Sequence, residues 1–218
     1  MGDKVVLVVG AGPGIGAAVA RRFGHEGYDV ALVARSADPL ERLAGELQES
    51  GVTARWAAVD ITDTDAFTEA VTRLGRHGGR IDVLHFNPSV YRPRDPLHLS
   101  PEELLSDVGT GVAALLTAVQ AARPFMSSGA RITATGSMAA DRPSPEACCL
   151  GVQKAGLRNL VLSLDRTLAD DGIRAMSLTV NGVLREGTAF APDRVADALF
   201  TAAMTPDDRW RAEVPFDG

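Results

Sequence analysis

Six short apolar runs recur along the chain: Val5–Val9, Val30–Ala34, Ala54–Val59, Ile81–Phe86, Ala130–Thr135 and Ile173–Val180. They read as runs without polar alternation, which suits strands buried on both faces of a parallel sheet. Longer helical patterns lie between them, several with start signals. Asp38-Pro39 sets a cap residue before a proline, Ser100-Pro101-Glu102-Glu103 spells a capping box, and Ser144-Pro145-Glu146 opens a further helix in the same way. Residues 92–96 read as a loop, and Ala212–Phe216 as a last edge strand. Such β/α alternation without a break in composition predicts an α/β protein, a doubly wound parallel sheet forming a single domain over residues 1–218.

Composition narrows the function. With 45% apolar and 23% charged residues in 218, the chain has the make-up of a globular domain. A net charge of −6 argues against a partner tracked through its phosphates, so no nucleic acid is expected. No membrane is expected either, because no apolar run approaches the roughly 20 residues that span a bilayer. Cys148 and Cys149 are neighbours and poorly placed to bridge each other, which points to a reducing compartment. Lys4, Val5 to Val9 and Ala18-Val19-Ala20 imitate a secretory signal, but the glycines between them suit a turn. The Met1-Gly2 start lacks the serine or threonine at position 6 that myristoylation requires. The expected location is cytoplasmic.

Between the first apolar run and the first helix lies Gly10-Ala11-Gly12-Pro13-Gly14-Ile15-Gly16. Glycines there turn the chain tightly and bring backbone N–H groups, Ile15's among them, up to a pyrophosphate at the positive end of a helix. With a strand before and a helix after, this reads as the dinucleotide turn of a Rossmann-like fold. An acid at the end of the second strand would hold the 2′-hydroxyl of NAD, and an arginine the 2′-phosphate of NADP. The strand ends Val33-Ala34-Arg35-Ser36, so NADP is favoured over NAD. The sequence offers no metal site.

These residues resemble the short-chain dehydrogenase/reductase family over nearly the whole chain. The resemblance matches Gly10, Gly14 and Gly16 to the family's glycine turn and Asp60, followed by Ile61, to the acid that meets the adenine. Asn87 falls in a degraded Asn-Asn-Ala-Gly (Phe86-Asn87-Pro88-Ser89), Ser137 at the substrate-binding serine, and Gly182 in the Pro-Gly after the sixth strand. In the family's Tyr-x-x-x-Lys pair, the lysine holds the nicotinamide ribose and acidifies the phenol. Lys154, with Lys4 one of only two lysines in the chain, matches the lysine. The tyrosine position is Leu150, thirteen residues after Ser137, a spacing typical of the family. The family's catalytic asparagine falls near Gly109 to Gly111 and is also missing. Losing a positioned acid typically costs about 10²–10⁴ in rate.

Tyr91 or His98, in the segment after the fourth strand, is the expected substitute proton donor. Cys148 and Cys149 are expected to be packing residues, and His85 a packed core residue. The resemblance further implies a shortened substrate lid at residues 187–193, a small-molecule substrate, and a homodimer or homotetramer. Three readings stay open: an atypical NADP(H) oxidoreductase acting on a carbonyl or alcohol, an inactive dinucleotide-binding sensor or partner subunit, and a non-redox enzyme on the same scaffold.

Overall fold

A computed structural model describes residues 4–218; the Met1-Gly2 start lies outside the described residues. Seven strands form one parallel sheet: β1 (Val5–Val9), β2 (Asp29–Ala34), β3 (Ala54–Ala58), β4 (Val83–Phe86), β5 (Arg131–Ser137), β6 (Arg174–Val180) and β7 (Glu213–Phe216). Their order is β3-β2-β1-β4-β5-β6-β7, with every pairing parallel. The order reverses between β1 and β4, where Val9 pairs Val33 on one side and Phe86 on the other. An open α/β sheet leaves a crevice at such a switch point, beyond the carboxyl ends of its strands.

The helices are α1 (Ile15–His25), α2 (Ala37–Glu49), α3 (Thr64–Gly78), α4 (Pro101–Val108), α5 (Ala114–Ala122), α6 (Cys148–Leu168) and α7 (Pro192–Ala203). Alternate strand residues face opposite layers. Val6, Val8 and Leu178 pack with α1, α2 and α7, while Leu7, Leu84 and Ile132 pack with α3, α5 and α6. Every residue of β1 is buried, as its unbroken run of valine and leucine requires.

The Ser100 capping box forms: Ser100 Oγ accepts from the Glu103 N–H (3.2 Å), and Glu103 Oε2 accepts from the Ser100 N–H (3.1 Å). The other two start signals are corrected. Helix α2 begins at Ala37 behind Ser36, so Asp38 sits inside the first turn, where its charge still favours the helix end. Ser144 Oγ accepts from the Glu146 N–H in a local turn, and α6 begins only at Cys148. The expectation about apolar length is also corrected. The helical run Pro101–Phe125 is long and apolar enough to cross a bilayer, but here α5 lends Leu115, Ala118 and Val119 to the core.

Candidate nucleotide and substrate site

The turn after β1 takes a shape that demands glycine. Gly10 and Gly14 have φ of +84° and +97°, and a Cβ at position 16 would run into the Gly10 carbonyl. The N–H groups of Gly10 and Ala11 donate to the Val33 carbonyl (2.8 and 3.0 Å), tying the turn to β2. A Cβ at Gly12 or Gly14 would meet nothing within 4 Å, so the outer side of the turn faces open space. Helix α1 starts there with no side-chain cap and no acid in its first turn. This uncapped, positive dipole end therefore suits an anion, and a pyrophosphate fits the cradle. The Ile15 side chain is buried, so only its backbone faces the cradle.

Farther along the sheet edge, Arg35 follows β2 and Asp60 lies just past β3, both exposed. Asp60 Oδ1 accepts from the Thr62 N–H (2.9 Å) and hydroxyl (2.7 Å). These bonds hold its carboxyl below the usual range, and the Arg35 charge adds to them. Ile61 is a core residue, leaving at most its backbone for a ligand.

At the other end, Ser137 closes β5, half-buried, its Oγ accepting from the Ala139 N–H (3.2 Å). Lys154 is buried on α6, and its Nζ donates to the Thr135 carbonyl (2.8 Å), two residues before Ser137. Burial lowers its pKa from the usual 10.5 to about 8. Four residues before it stands Leu150, half-buried and one helical turn away. Asn87 acts as a clamp. Its Nδ2 donates to the Gly10 carbonyl (3.1 Å), and its Oδ1 accepts from the Thr135 hydroxyl (2.9 Å). At Gly182 a Cβ would collide with the Phe190 ring, so that glycine admits the loop after β6. Phe190 in turn packs edge-on against Phe216 of β7.

The two expected proton donors lie on the loop after β4. Tyr91 is 67% exposed, and among the described residues none hydrogen-bonds its hydroxyl. His98 is also exposed and pairs with Asp95 (2.7 Å). Cys149 is buried; burial and its hydrogen bond to Asp107 push its thiol up to about 11, which fits a packing residue rather than a nucleophile.

Two polar clusters escape sequence reasoning. Arg92 grips the buried Asp107 with two bonds of 2.8 Å, and the Cys149 thiol donates to the same carboxylate. Beside them Gln153, buried on α6, accepts from the Val90 N–H (2.9 Å) and donates to the Val90 carbonyl (3.0 Å). A Cβ at Gly111 would collide with Gln153 Oε1, so this glutamine occupies the space a side chain at 111 would need. The second cluster centres on His85, buried between Thr133 and Thr135. Its signal lay in β5, where Thr133 and Thr135 interrupt the apolar run at strand spacing.

The short chain dehydrogenase family model matches residues 4–193, and the chain belongs to that family. A short chain dehydrogenase of Pseudocercospora fijiensis is 33% identical over 211 residues, covering 93% of this chain; the chain spans 65% of that relative's length. A cis-4-hydroxycyclohexanecarboxylate dehydrogenase of Sinomonas cyclohexanicum is 32% identical over 79% of this chain and 70% of its own. The crystal structure of a short chain dehydrogenase from Burkholderia cenocepacia in complex with NADP superposes with a TM-score of 0.90 at 26% identity, covering 99% of this chain and 96% of that one.

Proposed function

We propose that the chain is an NADP(H)-dependent oxidoreductase acting on a small carbonyl or alcohol, with a rebuilt proton-donor position. Lys154 carries this reading: a buried ammonium at the carboxyl end of β5, next to Ser137, on the edge where the α1 cradle opens. The cradle of Gly10, Gly12, Gly14, Ile15 and Gly16 would take the pyrophosphate, and Asp60 with the Ile61 backbone the adenine. Arg35 would take a 2′-phosphate. Asn87 and Gly182 shape the walls, and Lys154 would meet the nicotinamide ribose. When bound, the nicotinamide supplies or accepts the hydride.

Within this site Ser137 orients the substrate oxygen with its hydroxyl. Lys154, whose pKa of about 8 lies close to neutrality, exchanges a proton with that oxygen through water. The exposed Tyr91 is the alternative donor. Leu150 does neither task; its methyl groups only shape the pocket. The NADP-bound relative and the hydroxy-acid dehydrogenase relative support the cofactor and the reaction class. A homodimer or homotetramer belongs to this reading, supported by the apolar side chains that α4 and α5 leave in solvent, Leu105 and Leu116.

A second reading, a dinucleotide-binding protein without turnover, is favoured by Leu150 itself. Following NADPH oxidation over a panel of aldehydes and ketones, with wild type and Leu150→Tyr side by side, separates the two. The oxidoreductase reading predicts measurable wild-type turnover that rises about 100-fold with the phenol restored. No turnover by either protein, with NADPH bound by both, would overturn the oxidoreductase reading and leave the binder without turnover and the non-redox enzyme.

A further inference from the structure

Polar side chains inside a sheet layer cost free energy unless each is partnered, and here four of them are partnered in a line. His85 on β4 and Thr133 and Thr135 on β5 lie on the layer shared with α1 and α7, next to Val83, Met176 and Leu178. His85 Nδ1 lies 2.9 Å from Thr133 Oγ, and Nε2 lies 3.4 Å from Thr135 Oγ. The Thr135 hydroxyl bonds Asn87 Oδ1 at 2.9 Å, and Asn87 Nδ2 donates to the Gly10 carbonyl at 3.1 Å.

The direction of every proton in this line is set from its far end. A carbonyl only accepts, so the Asn87 amide presents its NH₂ to Gly10 and its oxygen to Thr135. Thr135 must then spend its hydroxyl proton on Asn87 and accept from His85. The imidazole therefore carries its proton on Nε2, and Nδ1 accepts from Thr133. Burial, with the Lys154 charge behind it, holds the ring's pKa down to about 3, so it stays neutral.

Thr135 is the junction of this line with the lysine. Its carbonyl receives Lys154 Nζ, and its hydroxyl reaches through Asn87 to the first glycine of the anion cradle. We propose that His85 and Thr135 are positioning residues that fix the phosphate turn and Lys154 relative to one another, so that both ends of a dinucleotide are met at once. This rests on the dinucleotide reading above. A valine at 85 would fill the layer equally well, but it would leave both threonine hydroxyls without their ring partner.

The test compares Thr135→Val, which deletes the hydroxyl at nearly constant shape, with Thr135→Ser, which keeps it. NADPH affinity is measured by fluorescence, and the wild-type His85 ring nitrogens are observed by ¹⁵N NMR. Expected are an affinity about tenfold weaker in Thr135→Val, near-wild-type affinity in Thr135→Ser, and a neutral ring protonated on Nε2. Equal affinity in all three proteins, equal weakening in both variants, or a ring protonated on Nδ1 overturns the proposal. The NMR result stands even if Thr135→Val does not fold. Failure of the wild type to bind NADPH sinks the dinucleotide reading instead, and the ring spectrum then still decides whether the line exists.

Discussion

Lys154 combines two properties that pull in opposite directions. An ammonium so deeply buried is costly, which is why its pKa falls to about 8, yet its Nζ keeps one strong acceptor in the Thr135 carbonyl. The lysine is thus charged below about pH 8 and neutral above it. Because the unfolded chain keeps its proton up to the usual 10.5, this group's penalty on stability is fully present below pH 8 and is relieved as pH rises between the two values. For a polyanionic ligand the sign is the reverse. NADPH affinity is expected to be flat below pH 8 and to weaken about tenfold above it, as a charge-assisted hydrogen bond is lost. A titration across pH 6.5 to 9.5 on wild type and Lys154→Met checks this; a break that persists in Lys154→Met assigns it to another group. Leu150 was singled out through the family resemblance, with its spacing from Ser137 and Lys154, whereas the hydrogen bonds of His85 were not legible: a histidine in an apolar run looks like a packed residue until its two hydroxyl neighbours are placed.

Local chemistry decided which helix starts were legible. Ser100 has Glu103 at the position where each satisfies the other's backbone, and the box forms. Asp38 and Ser144 also precede prolines, but α2 begins two residues earlier than Asp38 would cap it, and the chain at Ser144 turns locally before α6 begins. The junction of α4 and α5 was opaque for a different reason. Gly109–Ala113 forms a wider π-type turn, and Gly111 there yields its space to Gln153 of α6, a tertiary relation no spacing records. Gln153 of α6, with Asp107 of α4 and Arg92, fastens the loop after β4 to those two helices. Gly111→Asn is expected to destabilise the fold by about 1–3 kcal/mol through overpacking. Adding Gln153→Ala is expected to recover part of that loss, because the two positions share one volume. Denaturant unfolding of the two single variants and the double variant measures the coupling; strictly additive losses would mean that Gln153 is not what excludes a side chain at 111.

On the scale of the molecule, strand order and the site's edge follow from a few constraints. Parallel strands buried on both faces need helical crossovers, and crossovers on both faces leave one crevice where the order reverses. The glycine turn sits at that crevice because β1 is the strand at the reversal. Six of the seven strands were visible as apolar runs, and β7 as an edge strand, their ends shifting by at most two residues. What the sequence could not carry was the hydrogen bonding beneath the crevice, since that depends on which strands become neighbours.

The function proposed for this edge requires a dinucleotide lying across it, with Arg35 at its adenosine end. Fluorescence titration of wild type and Arg35→Ala with NADPH and NADH tests that. The expected result is micromolar NADPH binding, about tenfold tighter than NADH in wild type and equalised in Arg35→Ala. No binding of either nucleotide by the wild type up to about 1 mM would contradict it.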